Sequence, residues 1–303
     1  MFQKHVSISV TDVLEDDFCT IRPYIEVLLK MNKLREYASS SRSMELGTFY
    51  HLLLQSVLSN NFDLVQHFYI HEKLSVKESF FTALYELTER FFFPDGEKDF
   101  DCIIEREKEV KFDDELYFNL RSLAMLCSTL VEENNKGRLI SLVIGTEYKI
   151  EYELSEKFLL TGRIDILAWT VDRTAIRVIE LKTGKKSPRD KRQVLTYSEI
   201  IRKKKPNIEI TPELWYLNNN DEKKRIILDI PKEDIELKRI SSIISFVEKL
   251  KSEEQLSPRI KDKNYCNKTC RMCEYIDEFF VQNKTMPKNE EIVWKKIRVK
   301  QEQ

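Results

Sequence analysis

Glycine is scarce in this chain, with six in 303 residues. Glycine is the residue that allows positive φ or close backbone approach, so where the few glycines fall is informative. Gly47, Gly162 and Gly184 each lie within a few residues of a histidine, an aspartate or a lysine of interest. No stretch approaches the roughly 18–20 consecutive apolar residues of a membrane-spanning helix, which excludes a helical membrane protein as the expectation. The N-terminus has no signal-peptide pattern, and the expected location is intracellular and cytoplasmic. A charge excess is missing too. The 50 Lys and Arg residues face 51 Asp and Glu residues, for a net charge of −1. There is thus no global basic signature, and any surface for a polyanion must be a local patch. No internal repeat is found. No phosphate-binding Gly-x-x-x-x-Gly-Lys-Ser/Thr loop is present either, which excludes a nucleotide-driven motor on this chain.

What is present suffices for a folded core. The composition is 42% apolar and 33% charged, consistent with one large domain, or with a core domain plus a helical elaboration. The pattern divides near residue 136. Residues 1–136 read as a helical region carrying Cys19 and His51, after a short alternating segment (Val6, Ile8, Val10) with Thr11-Asp12 as the expected helix cap. Ser39–Ser43 reads as a polar loop and Met44–Leu58 as a helix. From about Phe62 to Glu133 leucines and aromatics recur at helical spacing, interrupted at Phe93-Pro94-Asp95-Gly96. The run Phe91-Phe92-Phe93 reads as core. Residues 137–303 read as a sheet-containing part with a C-terminal cysteine segment, the whole forming one integrated domain. Strands are expected over Tyr148–Leu154, Phe158–Trp169, Ala175–Leu181, Leu214–Leu217 and Arg225–Ile230. Helices are expected over Pro188–Lys205 and 232–252. The fold class is therefore α/β, a mixed sheet with flanking helices.

The stretch from Leu160 to Tyr197 carries the chemistry. It holds Gly162-Arg163-Ile164-Asp165, then Glu180-Leu181-Lys182, then Gln193 and Tyr197. Side chains alternate faces along a strand, so Glu180 and Lys182 point the same way. If the two strands pair as a hairpin, Asp165 lies beside Glu180. Two carboxylates and an ammonium converging on one point suit a hard divalent cation and an activated water. Asp165 lies in an apolar strand, where a carboxylate is costly unless paired or bound to metal. Gln193 and Tyr197 are one helical turn apart on one face. Glu147 and Glu151 precede the motif strand and are read first as ordinary strand alternation, with outer contacts to the site as their secondary role.

Taken together, these pieces resemble the PD-(D/E)xK nuclease superfamily, and within it the RecB-like branch. That branch shows in order a histidine following a glycine on a helix, G-x-x-D, an acid-x-Lys triplet and Q-x-x-x-Y. Here they are Gly47 and His51, Gly162 and Asp165, Glu180-Leu181-Lys182, and Gln193 and Tyr197. The resemblance implies a restriction-endonuclease-like fold, with a central mixed sheet, flanking helices and a metal-tied C-terminus. It also implies Asp165, Glu180, the Leu181 carbonyl and His51 as ligands of Mg²⁺ or Mn²⁺, the imidazole favouring Mn²⁺. Lys182 then positions the attacking water and stabilises phosphate charge, while Gln193 and Tyr197 reach the site or the DNA backbone. Alone on an apolar helix, His51 reads as structural; the other motifs turn it into a ligand.

Cysteine usage narrows the resemblance. Cys19 precedes the histidine motif, and Cys266, Cys270 and Cys273 follow the last motif, as in RecB-like nucleases of CRISPR systems, of AddB and of the replicative helicase–nuclease. In those proteins four thiolates hold a [4Fe–4S] cluster. The trio here is C-x₃-C-x₂-C, where that group shows C-x-x-C and a longer gap, so Zn²⁺ held by four cysteines stands as the alternative. Cys102 and Cys127 sit among apolar helical residues and read as buried thiols. The basic segments Lys185-Lys186, Arg189–Arg192 and Arg202–Lys205 read either as solvated faces or as phosphate contacts. The resulting expectation is a metal-dependent deoxyribonuclease acting on single-stranded DNA or DNA ends, as an exonuclease or on flaps. Its protein partners would lie in repair or CRISPR adaptation. The alternatives are a non-catalytic nucleic-acid-binding scaffold subunit and a DNA-trimming factor in CRISPR spacer acquisition.

Overall fold

The computed structural model describes residues 6–14, 42–92, 114–217 and 224–249. The chain divides into two compact units: residues 1–37, 150–162 and 231–303, and residues 38–149 and 163–230.

In the first unit, strand β1 (Val6–Ser9) runs parallel to the first residues of β5 (Phe158–Trp169), with Val6 opposite Phe158 and Ser9 opposite Thr161. A single helical turn, α1 (Val10–Val13), follows directly. Its cap is Ser9, not the expected Thr11-Asp12 pair. The Ser9 hydroxyl accepts from the Thr11 N–H while Asp12 Oδ2 accepts from the Ser9 N–H at 3.0 Å, a reciprocal capping box. Helix α7 (Ile235–Lys249) supplies buried Leu237, Ile240, Ile243 and Ile244, at three-to-four spacing.

The second unit starts with α2 (Arg42–Gln55), which passes into a π-helical turn at Ser56–Asn60. Asn61 ends the turn by donating its side-chain amide to the Ser56 hydroxyl at 2.7 Å. Helices α3 (Phe62–Ile70), α4 (Val76–Phe92) and α5 (Asp114–Cys127) follow. Their leucines and aromatics share one core with the sheet, in which Phe49, Phe80, Leu84, Leu120 and Leu123 pack with Ile166, Ile179 and Trp215. Cys127 is buried in that core, as expected. The helical part ends a few residues before the expected Glu133. After a 3₁₀ turn, Val131–Glu133 forms strand β2, pairing with β3 (Leu139–Ser141) around a turn closed by Gly137 at φ +66°.

The sheet of this unit is mixed, which agrees with the expected fold class. β5 pairs antiparallel with β6 (Ala175–Lys182), Ile166 lying opposite Ile179. Helix α6 (Pro188–Lys204) then carries the chain over to β7 (Glu209–Tyr216), which lies parallel to β6. A parallel neighbour needs such a crossover, whereas the β5–β6 pair needs only a tight turn. β8 (Arg225–Ile227) closes the edge antiparallel to β7, and β4 (Val143–Ser155) pairs with β5. β6 is buried at seven of its eight positions, as befits a central strand covered on both faces. β7 starts at Glu209, five residues before the expected Leu214, and it brings a charge into the interior. Glu213 is fully buried and accepts from Arg177 Nε at 2.8 Å, from Arg225 Nη2 at 2.7 Å and from Trp215 Nε1 at 3.1 Å. Among the described residues no helix is long and apolar enough to cross a membrane.

Candidate active site

Five elements meet around one cleft. β5 lines it with Arg163 and Asp165, α2 with His51, β4 with Glu147 and β6 with Lys182, while Glu180 of β6 and Gln193 and Tyr197 of α6 lie buried beside Lys182. The antiparallel register brings Asp165 against β6 as the hairpin geometry requires, and Asp165 Oδ2 accepts the Leu181 N–H at 2.6 Å. Asp165 Oδ1 lies 3.1 Å from His51 Nδ1. The close approach of α2 depends on Gly47, one turn before His51. A Cβ there would meet Thr183 Oγ1, just beyond β6, at 3.2 Å. The cleft measures about 680 Å³ and is lined by Thr48, His51, Glu147, Arg163, Asp165 and Lys182, among others.

A network at the base of the cleft fixes Glu180. Its Oε1 accepts from Lys182 Nζ at 2.9 Å and from Gln193 Nε2 at 2.6 Å, and Gln193 Oε1 accepts from the same ammonium at 2.9 Å. Gln193 Nε2 also lies 3.2 Å from the Tyr197 hydroxyl. The other oxygen, Glu180 Oε2, is buried with no hydrogen-bond partner. Such an atom is expensive to leave bare, and a cation is one way to satisfy it.

The electrostatics follow from this crowding. Burial, then the charge of Asp165, push the Glu180 carboxyl up to about 8, against the pull of Lys182. Burial opposes the charge on Lys182, but Glu180 and Asp165 outweigh it and hold the ammonium protonated above its ordinary range. His51 behaves alike. Burial disfavours its cation, yet the Asp165 carboxylate and a hydrogen bond to it, with help from Glu147, raise the imidazole from 6.5 to about 10. The His51 contact in turn lowers the pKa of Glu147. Burial, then Glu180, push the Tyr197 hydroxyl up.

The structure brings His51, Asp165, Glu180, Leu181, Lys182, Gln193 and Tyr197 together. Cys19, Cys266, Cys270 and Cys273 lie outside the described residues. Two residues of the cleft do more than their strand positions suggest. Glu147 is not mere strand alternation, since it places Oε1 3.6 Å from His51 Nδ1 and Oε2 3.8 Å from Arg163 Nη1. Donor atoms of His51, Glu147 and Asp165 all lie within 4.8 Å of one another. Arg163 was legible in principle, since it stands two residues before Asp165 and so on the same strand face.

A family model for the PD-(D/E)XK nuclease superfamily matches residues 7–277. The chain belongs to the PD-(D/E)XK nuclease superfamily. Its members are hydrolases of nucleic acids and typically use Mg²⁺ or Mn²⁺. The cleft fits such an ion through the Glu147 and Asp165 carboxylates and the His51 imidazole. No curated protein matches the chain. Among solved structures it is similar to the crystal structure of SSO0001, at 14% identity over 90% of this chain and 89% of that one. The TM-score of that likeness is 0.37, too low to support anything about this chain.

Proposed function

We propose that this PD-(D/E)XK protein is a divalent-metal-dependent deoxyribonuclease of the RecB-like branch, hydrolysing phosphodiesters of single-stranded DNA or DNA ends. The observation that carries the reading is Glu180. Lys182 and Gln193 saturate one of its oxygens, while the other is buried and bare beside Asp165. Asp165, Glu180 and His51, with the Leu181 carbonyl, are the residues that hold the ion. When bound, the cation polarises the scissile phosphate and lowers the pKa of a coordinated water.

The remaining chemistry belongs to the side chains. In hydrolysis a water oxygen bonds to phosphorus, the phosphorus–oxygen bond to the leaving sugar opens, and negative charge builds on the phosphoryl oxygens. Lys182 is partly open to the cleft and carries a positive charge, which makes it the group to orient that water and stabilise that charge. Gln193 acts as a positioning residue, because its amide donates to Glu180 and accepts from Lys182, so neither can turn without breaking a bond. Arg163 lies at the rim of the same cleft, where a backbone phosphate of the substrate can meet it. The four-cysteine [4Fe–4S] cluster of the RecB-like branch forms part of this proposal, with Zn²⁺ as its alternative.

Purified protein incubated with Mn²⁺ and 5′- or 3′-labelled single-stranded DNA tests the reading, beside Asp165→Ala and Lys182→Ala. Wild type shortens linear strands and spares closed circles, and both variants lose about 10²-fold or more of the rate. Equal cleavage by all three proteins, or none by wild type, sinks the enzymatic claim. Iron analysis of anaerobically prepared protein tests the cluster, and a colourless, iron-free preparation removes it.

A further inference from the structure

Glu147 belongs to none of the four motifs, yet the fold goes to some length to place it. It sits within β4 at φ +48°, in the left-handed region that a glutamate rarely occupies. Such a conformation is strained and persists only where the surroundings impose it. The imposing contacts are visible on both sides. The strand folds so tightly here that a Cβ on Gly145 would meet Tyr148 Cδ2 at 3.2 Å. The neighbouring Thr146 hydroxyl shares a 2.8 Å hydrogen bond with the Ser59 hydroxyl, in the π turn that directly continues the helix bearing His51. β4 is thereby tied to the same helix that delivers the histidine. The outcome is a carboxylate with one oxygen toward His51 and the other toward Arg163.

We propose that Glu147 is a further protein donor to the divalent cation, joining Asp165, Glu180 and His51 from a strand that the motifs do not include. This rests on the metal-dependent nuclease reading and deepens it. A second observation points to a cation among these carboxylates, because Glu180 Oε2 is buried with no hydrogen-bond partner. Mg²⁺ and Mn²⁺ favour about six ligands, oxygens above all, so the motif residues alone leave room for another carboxylate. Glu147 supplies it on the side of His51, where its donor atom lies within 4.8 Å of those of His51 and Asp165. Arg163, at 3.8 Å, limits the freedom of the carboxylate that faces the cleft.

Mn²⁺ titration of the full-length protein at fixed pH, with free Mn²⁺ counted by its paramagnetic resonance signal, decides the matter without any turnover. Glu147→Gln and Glu147→Asn weaken binding about tenfold or more. The exposed-turn control Glu156→Gln binds as wild type does. Asparagine tolerates positive φ, so metal-free Glu147→Asn melts at or above the wild-type temperature while losing Mn²⁺. A merely structural role for Glu147 does not produce that combination. Wild-type affinity in both Glu147 variants overturns the proposal while Asp165→Asn still loses Mn²⁺ and the nuclease reading stands. Absence of Mn²⁺ uptake by wild type overturns both.

Discussion

Glu213 gives the sharpest stability prediction. Replacing it with glutamine removes one charge and almost no volume from a fully buried position on β7. Two guanidinium groups and an indole N–H converge on the carboxylate, and Arg177 is itself only 3% exposed. Burial alone would raise the pKa of Glu213, but hydrogen bonds from Arg177 and Arg225, then their charges, win and hold it below 4.5. Removing one partner of such a pair leaves the other charged and uncompensated, which costs about 3–5 kcal/mol. For a unit of this size that corresponds to a fall of about 6–20 °C in melting temperature. Thermal melts by circular dichroism at pH 7 read the effect directly. The pH dependence has a definite sign, because a carboxyl with a lowered folded pKa contributes fully above its unfolded value. That contribution is lost as pH falls through the lower folded value. The gap between wild type and Glu213→Gln therefore narrows below pH 4.5. A variant melting within about 1 °C of wild type at pH 7 refutes the reasoning, since an exposed pair is worth that little. Replacing Arg177 and Glu213 together by apolar residues of similar volume recovers part of the loss, because only Arg225, a third exposed to water, then lacks its partner.

Two further outcomes are expected. Gly47→Ala substitutes a better helix former inside α2, by about 1 kcal/mol, but its Cβ presses on Thr183 Oγ1 at 3.2 Å; the variant melts no lower than wild type yet cleaves DNA several-fold more slowly as His51 shifts against Asp165, and unchanged cleavage counts against the placement of His51. Mn²⁺ raises the melting temperature more at pH 9 than at pH 7. In the metal-free protein the raised pKa values of Glu180 (about 8) and His51 (about 10) mean that both groups lose stabilisation as pH rises, and the cation binds only their deprotonated forms, so its contribution grows with pH; a thermal shift independent of pH contradicts this.

Much of the sheet and most of the motif cluster were legible because their signals are local. β5 occupies Phe158–Trp169 as read, β6 extends one residue past the expected Leu181, and α6 starts at its proline. Hairpin register and strand alternation then bring Asp165 beside the strand of Glu180 and Lys182 without further information. What escaped depends on partners distant in sequence. Glu209-Ile210-Thr211-Pro212-Glu213 contains a proline and two acids and reads as a connection, yet it is a strand. It tolerates Glu213 inside only because Arg177 and Arg225 come from the strands on either side. Val131–Glu133 continues a helical pattern by spacing alone and becomes a strand through its pairing with Leu139–Ser141. The position of Glu147 follows from a left-handed backbone that no glycine or asparagine announces.

The charges around the cleft give a physical reason for a phosphodiester substrate. Fully ionised, Glu147, Asp165 and Glu180 against Lys182 and Arg163 leave one net negative charge. In the metal-free cleft protons on His51 and Glu180, both with raised pKa values, more than offset it. A divalent ion in place of those protons also leaves one net positive charge. A phosphodiester carries one negative charge, so its arrival restores neutrality in a cleft where an unbalanced charge is expensive. A terminal phosphate monoester carries close to two at neutral pH and overshoots that balance. The cluster therefore favours the backbone linkage of a nucleic acid over a terminal phosphate, and inorganic phosphate is expected to compete poorly with an oligonucleotide for the metal-loaded protein.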